Sequence, residues 1–147
     1  MRNRLARLDG LRELHRVRIL VCKMRYLETK RKRDEAARSL NEREATICQC
    51  KAERSSLFQY LHRQEVMETP LRVERVHDRR FWLEYDLEKE EYYLEMDRQD
   101  LNEAESQLSQ ARQEWLRAQK HQDLVKQQWI ALQRDVSRDI EGRETGD

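Results

Sequence analysis

Cysteine, histidine, serine and glycine are the residues in this chain whose chemistry would need a defined arrangement. Cys48 and Cys50 form a C-x-C pair, and Cys22 stands apart. Residues two apart on a helix point to different sides, so the pair cannot readily share a metal ion. No second Cys/His pair completes a tetrahedral set. His15, His62, His77 and His121 are scattered. His62 and His77 could face each other near the middle of the chain, with no third ligand beside them. Ser, Cys and His show no spacing that points to a nucleophile with its base. The glycines, Gly10, Gly142 and Gly146, are isolated. No phosphate-cradling loop occurs, because such loops need clustered glycine for backbone reasons. The residues therefore predict no enzyme, no metal and no cofactor.

The elements that position these residues follow from composition. The 147 residues are 40% charged and 37% hydrophobic, with only three Gly and one Pro. Mean hydropathy is −1.12. High charge and low hydropathy normally mark disorder. Here the apolar residues are periodic, and Leu, Glu, Arg, Gln, Ala and Lys are good helix formers. That balance belongs to long helices and coiled coils. The expected fold is all-α, a long antiparallel two-helix coiled-coil hairpin forming one domain over residues 1–147.

The single proline, Pro70, sits almost at the centre. Thr69 can cap a helix and Pro70 fits its first turn. The residue before a proline is pushed out of the α region. Helix 1 is expected over about 4–66, a turn over 67–69, and helix 2 over about 70–141. Gly142 is placed to act as a left-handed C-terminal cap, with a disordered tail over 143–147. At 1.5 Å per residue each helix would be about 95–105 Å long.

Helix 2 carries the clearer pattern. Leu87, Leu94, Leu101, Leu108, Trp115, Gln122, Trp129 and Val136 recur every seven residues. Leu83, Glu90, Asp97, Ala104, Ala111, Ala118, Val125 and Leu132 make the companion stripe. Together they form an a/d seam, with Glu90 and Asp97 as polar interruptions that restrict register. Helix 1 is less regular. Its apolar residues are Leu5, Leu8, Leu11, Leu14, Val17, Leu20, Met24 and Leu27, then Ala36, Ala37, Leu40, Ile47, Leu57, Phe58 and Leu61. A central turn places residue i opposite about 138 − i. Leu8 is then near Trp129, Cys22 and Met24 near Trp115, and Phe58 near Arg80 and Phe81.

Charge agrees with that register. Residues 1–34 hold twelve Lys/Arg against four Asp/Glu, and residues 84–105 hold ten Asp/Glu against two Lys/Arg. The acidic block falls opposite Arg33, Arg38, Arg43, Lys51 and Arg54. The net charge of +1 gives no general attraction to nucleic acid or anionic lipid. The segment around Leu20 and Val21 is too short and too charged for a signal peptide or membrane span. With an odd number of cysteines, this predicts a reducing, cytoplasmic setting.

Two surfaces invite partners. The basic segment Arg2, Arg4, Arg7, Arg12, Arg16 and Arg18, followed by Lys30, Arg31, Lys32 and Arg33, reads in three ways. It is a solvated face, a docking surface for an acidic protein, or a nucleic-acid contact. The last is weakened by the near-neutral total. Phe58, Tyr60, Phe81, Trp82 and Tyr85 cluster near the middle of the chain. Phe81 and Trp82 are adjacent, so both cannot face a narrow seam. The cluster is either simple packing or a binding hot spot.

The segment Leu14-His15-Arg16-Val17-Arg18-Ile19-Leu20 resembles the L-H-R-V-K-V-L opening of YscO-type proteins of bacterial type III secretion. Trp115-Leu116-Arg117 and Gln128-Trp129-Ile130 resemble the W-L-R and R-W-I segments of the invasion-system member of that group. Length, central break and two long helices also match. The resemblance to this YscO/FliJ-like family implies a cytoplasmic central stalk at the membrane-associated base of the secretion apparatus. It implies that the chain links the hexameric export ATPase to the cytoplasmic domain of the export gate, and that it binds secretion chaperones. It implies no nucleic acid and no insertion into the membrane. The ATPase-facing zone it implies contains Arg4, Arg7, Arg12, Arg16, Arg18, Trp129 and Arg134. The gate-facing zone contains Phe58, Tyr60, Leu61, Trp82 and Tyr85. The chain departs from the family in the charge-rich stretch from Glu28 to Asp34. The alternative is an unrelated coiled-coil adaptor or scaffold.

Overall fold

The computed structural model describes residues 2–64 and 70–146. Two helices account for nearly all of them: α1, Arg2–Gln64, and α2, Pro70–Glu144. They have 63 and 75 residues and pack against each other as a helical hairpin. Pro70 opens α2, as its fixed φ and missing N–H allow. The turn expected over 67–69, with Thr69 as its cap, lies outside the described residues.

The C-terminal end differs from expectation. α2 runs through Gly142 to Glu144, and no described glycine has positive φ. Gly142 is therefore an interior helical residue rather than a left-handed cap. The last turn is closed by Thr145, whose N–H and hydroxyl both donate to the Glu141 carbonyl, at 3.0 and 2.9 Å. A hydroxyl supplied by the chain itself takes over the capping role.

The α2 seam matches the heptads. Every position of both stripes, from Leu83 to Val136, is buried or half-buried. Leu83 is the most enclosed, at 1% exposure, with Leu87, Ala111 and Ala118 close behind.

The α1 seam follows a stricter heptad than its apolar residues suggest. One stripe is Leu5, Arg12, Ile19, Tyr26, Arg33, Leu40, Ile47 and Leu61, and the other is Leu8, His15, Cys22, Thr29, Ala36, Arg43, Cys50 and Leu57; all are buried or half-buried. Leu11, Leu14, Val17, Leu20, Met24 and Leu27, expected in the seam, are exposed, and so is Phe58. The reason is phase. Leu5, Leu8, Ile19, Leu40, Ile47 and Leu61 set one seven-residue frame, which lapses at the exposed Arg54, and that frame carries Arg12, His15 and Arg33 inward. The misplaced residues between Leu11 and Leu27 fall on the b, c, f and g positions, and Phe58 falls on an e position.

The chain divides into two packing units. One combines Met1–Arg31 with Ser106–Asp147, and the other is Lys32–Glu105. In the first, Tyr26 packs on Trp115 with ring centroids 5.2 Å apart, and His15 stacks on His121 at 6.2 Å. In the second, the Arg80 guanidinium lies 5.8 Å from the Phe58 ring centre, as expected. All these pairs fall within one heptad of the expected register. Among the described residues no helix is long and apolar enough to cross a membrane.

Candidate functional site

In the Lys32–Glu105 unit the seam turns polar at one layer. Arg43 comes from a d position of α1 and meets Glu90 and Asp97, which are successive members of one α2 stripe. Its Nη1 donates to Glu90 Oε2 at 2.7 Å, and its Nε donates to Asp97 Oδ2. The guanidinium also lies 5.1 Å from the Tyr93 ring centre. The hydrogen bond to Asp97 does most to raise the Arg43 pKa above the ordinary arginine value. Glu90 adds to this, and partial desolvation opposes it. The two interruptions seen in α2 are thus answered by one cation from α1.

A second cross-pair ties the same unit. Arg79 donates bidentately to the Glu53 carboxylate, at 2.9 and 3.1 Å. That hydrogen bond is the first cause of a raised Arg79 pKa. The pair is exposed and adds little to stability.

The paired ends lie in the other unit. The Arg12 guanidinium sits over the Trp129 ring, 4.3 Å from its centre, with Asp9 3.9 Å away. Arg12 and Trp129 are both half-buried, so this arginine is a seam residue. The cation–π contact sets Arg12, one helical turn along from Leu8, beside Trp129, within a heptad of the expected register. Arg4, Arg7, Arg16, Arg18 and Arg134 are exposed. Arg16 lies 3.8 Å from Glu13, and Arg134 borders a shallow groove with Leu5, Ile130 and Ser137. Arg18 and Arg25 from α1 and Arg117 and His121 from α2 ring a hollow whose floor is Cys22 and Ala118. Cys22 thus lies beside Glu114 and Ala118 of α2. Met24 is on the outside instead, because it occupies an f position.

The aromatic zone divides in two. Leu61 is buried at 9% exposure, so it supports the seam and cannot present itself to a partner. Tyr60 is half-buried. Phe58, Phe81, Trp82 and Tyr85 are exposed, and Phe58 stacks on His62. Trp82 meets Phe81 and Tyr85 edge-to-face at centroid distances of 5.8 and 6.0 Å. His62 and His77 are both exposed; the stacked histidine pair is His15 with His121. The cysteines are free, Cys22 buried and Cys48 exposed. No cluster of three or more potential metal ligands occurs among the described residues.

The composition missed one surface, the exposed apolar face of α1 between Leu14 and Leu27. Carrying the Leu5 and Leu8 heptads forward without a break would have revealed it. Compared with known proteins, the chain matches no family model, no curated protein and no solved structure.

Proposed function

We propose that this chain is a central-stalk component of a bacterial type III protein secretion apparatus, linking the export ATPase hexamer to the export gate. It acts in the cytoplasm at the membrane-associated base, carries no catalysis of its own, and binds secretion chaperones. The observation that carries the reading is the set of exposed arginines at the paired ends of the helices, Arg4, Arg7, Arg16, Arg18 and Arg134. They belong to the same packing unit as the Arg12–Trp129 contact. Support also comes from the sequence resemblance, which touches both helices. A part that turns within a ring must not lock onto one subunit. Exposed ion pairs, worth about 0–1 kcal/mol each, are weak and exchangeable in that way. The exposed Trp82 and Tyr85 are the anchors for the gate, since buried aromatics dominate docked interfaces.

The test is a pull-down with the hexameric ATPase, combined with ATP turnover. Reversal of Arg4, Arg7, Arg16 and Arg18 to Glu is expected to abolish binding and stimulation at low salt while helical content is retained. Wild-type chain that neither binds the ATPase nor changes its turnover would sink this reading and leave a coiled-coil adaptor. In a separate arm, Trp82→Ala with Tyr85→Ala is expected to release the gate domain only.

A further inference from the structure

Two outer faces of the hairpin remain without a partner, and they match each other. On α1, Leu14, Val17, Leu20, Val21, Met24 and Leu27 are 62, 55, 54, 44, 70 and 52% exposed. They occupy b, c and f positions, opposite the seam. Val17, Leu20, Met24 and Leu27 alternate steps of three and four, the spacing of a second coiled-coil face. Both edges of this face are basic, Arg16, Lys23 and Lys30 on one side and Arg18 and Arg25 on the other.

On α2, Phe81, Trp82, Tyr85, Tyr92 and Met96 are also exposed, Tyr92 to 66%. They occupy the same b, c and f positions. Trp82, Tyr85, Tyr92 and Met96 follow the same three-four rule, with the aliphatic stem of Lys89 between them. Here the surroundings are mainly acidic, with Asp86, Glu88, Glu91 and Asp100 beside Glu84 and Glu95, which pair with Arg80 and Arg98. The two faces cover four to five helical turns each, about 21–24 Å.

We propose that these two faces are the halves of one interface, through which the α1 face of one copy of this chain docks on the α2 face of another. Charge decides the pairing. Two α1 faces would set arginine and lysine edges against each other, and two α2 faces would do the same with carboxylates. Only the cross-pairing brings opposite edges together while covering both apolar faces. The contact is heterologous, using different surfaces on the two copies. Monomeric proteins rarely leave such contiguous apolar stripes in water. The proposal shares Trp82 and Tyr85 with the gate contact proposed above, but its test uses this chain alone. Failure here leaves the stalk reading standing, and failure of ATPase binding leaves this interface standing.

The experiment is sedimentation equilibrium of the purified full chain across the micromolar range, at low and high salt. Wild-type chain is expected to associate with concentration, less so at high salt. Leu20→Glu with Met24→Glu disables the α1 face, and Trp82→Lys with Tyr92→Lys disables the α2 face. Each variant alone is expected to stay monomeric with unchanged helical circular dichroism. Mixed, they are expected to form a one-to-one complex, because each brings the face the other lacks. If the α1 variant unfolds, Lys23→Glu with Arg25→Glu replaces it, and if the α2 variant unfolds, Glu88→Lys with Glu91→Lys does; either alone should weaken association about tenfold or more. Mixing these two charge-reversed chains should restore it. A wild-type chain that stays monomeric would overturn the proposal and assign the stripes to a different protein. So would variants that associate alone as the wild type does, or a mixture that forms no complex.

Discussion

Single residues set the polarity of this seam. Arg43 is the clearest, because it answers two carboxylates at once. Its side chain is 27% exposed, and those of Glu90 and Asp97 are 23% and 16% exposed. Removing the cation leaves two half-buried carboxylates without their partner on one face, so Arg43→Met is expected to cost about 1–3 kcal/mol in urea unfolding. Replacing Arg43, Glu90 and Asp97 together by Leu is expected to restore or exceed wild-type stability, because no charge is then left without its partner. A folded-state pKa above the ordinary value means the guanidinium's contribution is complete at neutral pH. It is lost only as pH climbs beyond the ordinary arginine range. Melts at pH 7 and pH 9 are therefore expected to give the same cost for Arg43→Met. Thr29 shows a different solution for a polar seam residue. Its hydroxyl returns to the Arg25 and Tyr26 carbonyls, both at 2.9 Å, and asks nothing of α2.

At the scale of the element, α2 was legible and α1 only partly so. α2 keeps its leucines, alanines and valines largely on the seam stripes, so counting by sevens from Leu83 found the seam to Val136 even though Phe81, Trp82, Tyr85, Tyr92 and Met96 lie outside it. α1 spreads apolar residues over two faces. Counting hydrophobes there joined Leu14, Val17, Leu20, Met24 and Leu27 to the seam, when Arg12, His15, Cys22 and Tyr26 occupy it. Long amphipathic side chains make this possible, since an arginine can lay its stem in a seam and keep its charge at the rim. The functional zones were legible as regions but not as contacts. Arg12 and Leu61 turn inward because heptad phase, rather than residue type, decides exposure. Val17→Gln with Met24→Gln is expected to change unfolding free energy by no more than about 0.5 kcal/mol, as surface substitutions do. A fall of several kcal/mol in urea melts would return that face to the core. Gly142 is helical, and a Cβ built there meets nothing within 4 Å. Gly142→Ala is therefore expected to stabilise the end of α2 by about 0.5–1 kcal/mol, read as protection from amide exchange in the last turns.

For the whole molecule, the pairing of distant segments was readable from two independent patterns. Apolar heptads and opposite charge blocks both pointed to 138 − i. Tyr26 with Trp115, Arg43 with Asp97, and Arg80 with Phe58 all fall near it. A chemical test of the pairing uses the native Cys22, which shares its hollow with Ala118. Ala118→Cys is expected to crosslink to Cys22 within one chain under mild oxidation, whereas Ala111→Cys, two helical turns away, is not. Crosslinking of the second variant in preference to the first would shift the register by a heptad.

The seam divides its cations unequally: Arg12, His15, Arg33 and Arg43 stand among the leucines and isoleucines of α1, whereas the polar members of the α2 stripes, Glu90, Asp97 and Gln122, include no basic residue. This asymmetry bears on how the protein is made. α1 is synthesised first, and at ordinary rates Leu5 waits roughly 5–25 s before Val136 exists. A first helix lined wholly with leucine would spend that interval as a ready partner for any neighbouring nascent chain. With Arg12, His15, Arg33 and Arg43 in its inner face, two such segments repel each other. Pairing is thereby held over until the second half emerges, starting with the residues nearest the reversal of the chain. Stalled nascent chains ending before residue 83 should accordingly be protease-sensitive throughout, and those extended past residue 111 should be protected first between residues 40 and 61.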